Sequence, residues 1–168
     1  MYSLLSRLKY FNDLLKDSNR FRFTLILTFA LYFVAIAFNF LFNFIKEKDV
    51  IWIRFPGEKM SGIVFFITTI VVSPFIETFL NQYLPYLFLG KIKYFRERSY
   101  FILLCSAILF GLMHFYSLFY IFYAFLIGLI LMYGYMIRIS RDKATFYLIS
   151  LCHSLLNCGI FLLRYINN

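Results

Sequence analysis

FTLILTFALYFVAIAFNFLFNFI, residues 23–45, is a run of 23 residues without a formal charge, bracketed by Arg22 and Lys46. A helix of that length covers about 34 Å, enough to cross the roughly 30 Å hydrocarbon core of a bilayer. No small-residue cleavage site follows it, and it is longer than a signal-peptide core, so it reads as a retained membrane span. The rest of the composition agrees. Hydrophobic residues make up 62% of the 168 positions and charged residues only 15%, where an ordinary soluble domain is near a quarter charged. The 24 Phe and 14 Tyr exceed what one small aqueous core would bury.

Upstream of this span, residues 1–22 are polar and basic, with Leu4, Leu8, Phe11 and Leu15 spaced to share one helical face. That pattern predicts an amphipathic helix lying on the membrane surface. Downstream, residues 46–59 form a charged loop with Pro56 and Gly57, in which Trp52 and Phe55 suit the interface. Residues 60–89 make a long second span containing Pro74, Glu77 and Pro85, and the prolines predict a kinked or broken helix. Lys91, Lys93, Arg96 and Arg98 close it. Residues 99–137 carry no Lys, Arg, Asp or Glu, which is room for two spans, 99–115 and 119–137, with a turn near residues 115–119. Ala124 and Gly128 offer a small-xxx-small face for close helix packing. A charged loop with Arg138, Arg141, Asp142 and Lys143 precedes the last span, 144–163.

The fold class is therefore all-α: a polytopic membrane bundle of about five transmembrane helices, forming one transmembrane domain over residues 23–168, preceded by the N-terminal interfacial helix. With the N-terminus inside, the inner segments hold 12 Lys and Arg against 5 in the outer ones, so the positive-inside rule predicts a cytoplasmic N-terminus and an outer C-terminus. The net charge of +9 is then explained by the flanks of membrane spans and by contact with anionic lipid. No basic cluster accompanies a nucleic-acid recognition motif, which argues against nucleic acid as a partner. Cys105, Cys152 and Cys158 lie in apolar runs at spacings that fit neither a disulfide framework nor a zinc motif, so they read as small hydrophobes.

Ionisable residues inside a span are expensive and mark function by default. The spans offer Glu77, His114 and His153, with the amide of Asn157 beside them. His153 and Asn157 are four apart and share a helix face, as do Phe110 and His114. Counted from the inner basic residues, Glu77, His114 and Asn157 lie about 21–24 Å deep and His153 about 15 Å, so polar groups from three spans fall at similar depth. A carboxylate beside an imidazole can activate water as a general base, and a second imidazole with an amide can donate to an oxyanion. Glu77, His114 and His153 could equally hold zinc, since both residue types are common zinc ligands. A transporter or proton relay is a rival reading of the same buried Glu and His.

The segment Pro74-Phe75-Ile76-Glu77-Thr78-Phe79-Leu80-Asn81-Gln82 resembles the first motif of the CPBP (CAAX protease and bacteriocin-processing, also called Abi) family of glutamate-dependent intramembrane proteases. That motif has a proline three residues before a Glu-Glu pair and an arginine five residues after the first Glu. Phe110-Gly111-Leu112-Met113-His114 is similar to the second motif, Phe-x-x-x-His, and His153-Ser154-Leu155-Leu156-Asn157 to the third, His-x-x-x-Asn. The resemblance covers residues 60–163, the expected peptidase core. It implies an intramembrane endopeptidase acting on a membrane-associated peptide or protein, in the bacterial inner membrane. Glu77 with His114 would activate the attacking water, and His153 with Asn157 would stabilise the tetrahedral intermediate. No cofactor is required in the favoured form, with zinc on Glu77, His114 and His153 as the alternative. Two positions depart from the pattern: Thr78 replaces the second glutamate and Gln82 stands where arginine is usual. Both are candidates to support the site from behind. The departures also leave room for a non-catalytic member acting as an immunity protein or membrane scaffold.

Overall fold

The structure is a computed structural model that describes residues 12–44, 62–115 and 117–166. Leu4, Leu8 and Phe11 of the N-terminal stripe, and the 46–59 loop, lie outside the described residues. Among those described, the secondary structure is entirely helical. A turn and a half over residues 12–17 leads into α1, Arg20–Phe44; α2 runs over Gly62–Leu89; the short α3 is Lys93–Glu97; α4 is Ser99–Leu112; α5 is Leu118–Arg138; and α6 is Thr145–Ile166. Four of these, α1, α2, α5 and α6, are long and apolar enough to cross a bilayer. The fifth apolar helix, α4, has 14 residues, about 21 Å, and stops short of a full crossing.

Local chemistry sets the boundaries. α1 begins before the apolar run because Asn19 caps it: Oδ1 accepts from the Arg22 backbone N–H at 2.8 Å and the Asn19 carbonyl accepts from Phe23 N at 2.9 Å. Ser117 caps α5 by accepting from Tyr120 N at 3.1 Å. Ahead of α6, Asp142 Oδ1 accepts from Ala144 N at 2.9 Å.

α1 shows how lipid and protein share its surface. Phe23, Leu27 and Leu31 follow a helical stripe into the core, where they meet Leu131, Tyr135 and Ile149. Phe29, Phe33, Ile36 and Phe40 form the opposite stripe and remain about two-thirds or more exposed, the face expected to meet acyl chains. α4 and α5 cross closely at Gly128, where an added Cβ would stand 2.9 Å from Phe110 Cβ and 3.2 Å from Ala107 Cα. Ala124, one turn earlier, is buried as well, so the small-residue face packs as its spacing predicts.

One end of the bundle is tied by charge. Arg20 donates from Nε and Nη2 to the two carboxylate oxygens of Asp142, at 2.8 and 3.0 Å. The buried Arg138 guanidinium donates to the Ser18 carbonyl at 2.6 Å, lies 3.4 Å from Asp142 Oδ2, and sits 4.9 Å over the Phe23 ring. Arg141 pairs with Asp17, and Tyr133 with Asn12. Residues 12–20 and 138–142 are thereby held on the same side of the bundle. Leu15, read from sequence as part of a membrane-facing stripe, is buried in the protein core. The clamp beside it turns this segment onto the bundle.

Candidate active site

α2 is not a regular helix. Its turns alternate: α over Gly62–Ile67, π over Thr68–Val72, α over Ser73–Thr78, π over Phe79–Tyr83, and α over Leu84–Leu89. Each π segment ends just ahead of a proline. A proline ring clashes with the carbonyl four residues back and donates no hydrogen bond, and a widened turn relieves that clash. In the first segment Ser73 N–H reaches back five residues to the Thr68 carbonyl. The next donor in that register would be residue 74, which is proline. The Thr69 carbonyl instead accepts from Asn157 Nδ2 on α6, at 3.0 Å. Glu77 rides on the α turn between the two π segments.

His114 lies in the turn after α4, three positions before Ser117, which caps α5. Its backbone N–H bonds to the Gly111 carbonyl, three residues back, at 3.0 Å. That leaves the Phe110 carbonyl to the His114 ring, whose Nδ1 is 2.7 Å away. A carbonyl only accepts, so Nδ1 carries a proton, and in the neutral ring Nε2 then presents its lone pair. The Phe110 ring stacks on the imidazole at 4.7 Å between centroids and lies 5.5 Å from that of His153. The first residue of Phe-x-x-x-His thus supplies both a carbonyl and an aromatic wall.

The two histidines converge on Glu77. Glu77 Oε2 is 3.6 Å from His114 Nε2 and 3.7 Å from His153 Nε2. The Glu77 and His114 side chains are each 18% exposed and His153 only 5%. Three elements, α2, the α4–α5 turn and α6, therefore bring these sequence-selected groups together. Asn157 joins through the α2 backbone at Thr69. One of its two N–H groups goes to that carbonyl, so in this geometry it ties α6 to α2. Thr78 and Gln82 are fully buried, and their side-chain polar atoms make no hydrogen bond among the described residues. Among those residues no group of three or more His, Cys, Asp or Glu side chains is disposed to hold a metal ion. The cysteines are unpaired thiols, with Cys152 buried against the Thr24 carbonyl.

Sequence reasoning overlooked Asn81 and Ser106. Both are fully buried; Asn81 Nδ2 donates to the Glu77 carbonyl at 2.9 Å, and Ser106 Oγ donates to the Asn81 carbonyl. The available signal was Pro85, four residues after Asn81, which denies that carbonyl its α-register donor.

Within an all-helical membrane bundle, three elements thus turn a glutamate and two histidines towards one another. A sequence model described as type II CAAX prenyl endopeptidase Rce1-like matches residues 59–159. That is well over half of the chain, and the chain belongs to this family, a branch of the CPBP family. No curated protein and no solved structure gives a significant match.

Proposed function

We propose that this chain is an intramembrane endopeptidase that hydrolyses a peptide bond of a membrane-associated peptide or protein. The observation that carries the reading is the facing of Glu77 Oε2 and His114 Nε2 at 3.6 Å, with the His114 proton committed to Phe110 on the other side of the ring. Two acceptors at that separation are well served by a water that donates one hydrogen to each. Its lone pair is then free to attack a carbonyl while Glu77 takes the proton as general base. His153, whose Nε2 lies 3.7 Å from the same oxygen, supports the oxyanion, and Asn157 lends its second N–H. Thr78 and Gln82 support the site from behind. No metal is needed for this chemistry.

The family's prenylated substrates suggest where the lipid part of a substrate rests. A groove of about 520 Å³ between α2 and α4 is lined by Leu80, Leu84, Phe88, Leu109 and Met113. Leu80 of its lining stands three positions after Glu77 and Met113 one before His114 in the chain, so we place an isoprenoid there with its peptide directed towards the two groups. The reading is tested by comparing protein termini in cells carrying wild type and Glu77→Gln. New termini that vanish in the variant support it; identical termini from equally abundant proteins contradict it. A scaffold or immunity role predicts that second outcome.

A further inference from the structure

Glu77's aim depends on backbone geometry that an ordinary helix would not keep. Each π turn adds one residue to the hydrogen-bonded ring, which shifts the following face by about one residue, or 100°. The α turn carrying Glu77 has such a shift on either side. Something must hold the second shift in place, because a relaxation of Phe79–Tyr83 to regular α would rotate Glu77 relative to α4 and α5.

We propose that Asn81, locked from α4 by Ser106, is the positioning residue that fixes the Glu77 backbone in its π-flanked register. Residue 85, the α-register donor to the Asn81 carbonyl, is proline, and the Ser106 hydroxyl donates to that carbonyl from α4. The Asn81 side chain then reaches back one turn and donates Nδ2–H to the Glu77 carbonyl at 2.9 Å. The amide orientation is fixed by chemistry, since the acceptor is a carbonyl and only the NH₂ can donate. Both residues are fully buried, so solvent cannot substitute for either bond. The chain Ser106–Asn81–Glu77 links α4, whose C-terminal turn presents His114, to the backbone that presents the carboxylate. It coordinates the two halves of the proposed base, and in that respect it rests on the peptidase reading.

The test uses full-length protein in nanodiscs of phosphatidylcholine and phosphatidylglycerol, labelled with ¹³C-carboxyl glutamate. The infrared difference between wild type and Glu77→Gln isolates the Glu77 carboxyl band. Asn81→Leu and Ser106→Ala should each shift or broaden that band and move its titration midpoint while helix content is retained. Thr68→Ala removes hydroxyl bonds to the Val64 and Phe65 carbonyls at the start of the other π segment without touching the Ser106–Asn81–Glu77 chain, and should leave the band in place. With a farnesylated CAAX-type peptide as probe, kcat of Ser106→Ala should fall up to about 100-fold with KM nearly constant, as misplacement by an ångström can cost. A Glu77 band unchanged in folded Ser106→Ala protein overturns the proposal. A band that moves while wild type leaves the peptide uncut upholds the positioning and rejects the hydrolytic reading.

Discussion

At the scale of single residues, the roles assigned around Glu77 differ in size. His114→Ala removes the partner that shares the water, and cleavage should fall by about 10²–10⁴-fold. Asn157→Ala removes one donor to the oxyanion, worth about 10²–10³-fold, and also frees the Thr69 carbonyl, so a loss of thermal stability should accompany it. Turnover by these variants on the farnesylated probe, read beside their unfolding midpoints, separates the two effects. Activity in a strong chelator should equal that without one; stoichiometric zinc and chelator-sensitive turnover would replace the water-sharing pair with a metal. The convergence of Glu77, His114 and His153 was legible in the sequence because buried ionisable groups are rare and their depths could be counted from the basic flanks. Asn81 was not, since a polar residue three or four positions from another looks the same whether it braces a backbone or packs a helix.

At the scale of elements, α1, α2, α5 and α6 begin and end within a few residues of the apolar runs in the sequence, because hydrophobic run length is what the bilayer demands. The irregularities were less legible. Pro74 and Pro85 announced a disturbed α2, but a proline permits a kink as readily as a π turn. Which one forms depends on neighbours, here Asn157 for the first and Ser106 for the second. α4 is shorter than the 99–115 run suggested because its last turn tightens to deliver His114. The α4–α5 crossing gives a test at this scale. Gly128→Val forces a side chain against Phe110 Cβ and Ala107, and overpacking of this kind costs about 1–3 kcal/mol. Because Phe110 carries the His114 hydrogen bond, turnover should fall together with the unfolding midpoint. Full activity from Gly128→Val would detach the crossing from the site.

At the scale of the whole molecule, the charge clamp and the membrane orientation can be measured. The Arg20 guanidinium, with the Ala144 N–H, holds the Asp142 carboxyl down at about 2, below the roughly 3.9 of an unfolded Asp. The unfolded chain therefore takes up this proton first as pH falls. The clamp's contribution is complete above about pH 4 and is lost progressively towards pH 2. Thermal unfolding in nanodiscs should show that decline, and Asp142→Asn should be less stable at neutral pH with a flatter acid limb. An identical acid limb in the variant would assign the decline to other carboxyls. Reporter fusions at Lys93 and Lys143 should report the inside and one at Lys48 the outside. The contacts between residues 12–20 and 138–142 already hold those two basic segments together. A Lys143 fusion reporting the outside would remove this orientation.

Hydrolysis that depends on the Glu77 carboxylate is the claim on which the rest turns. Glu77→Gln preserves size and hydrogen bonding but removes the base, and a buried amide costs less than a buried carboxylate, so the variant should insert and purify normally. Wild type in nanodiscs should release the C-terminal fragment of a farnesylated CAAX-type peptide, and Glu77→Gln should do so at least about 10²-fold more slowly, if the carboxylate is the base. Equal release by the two proteins would contradict that claim.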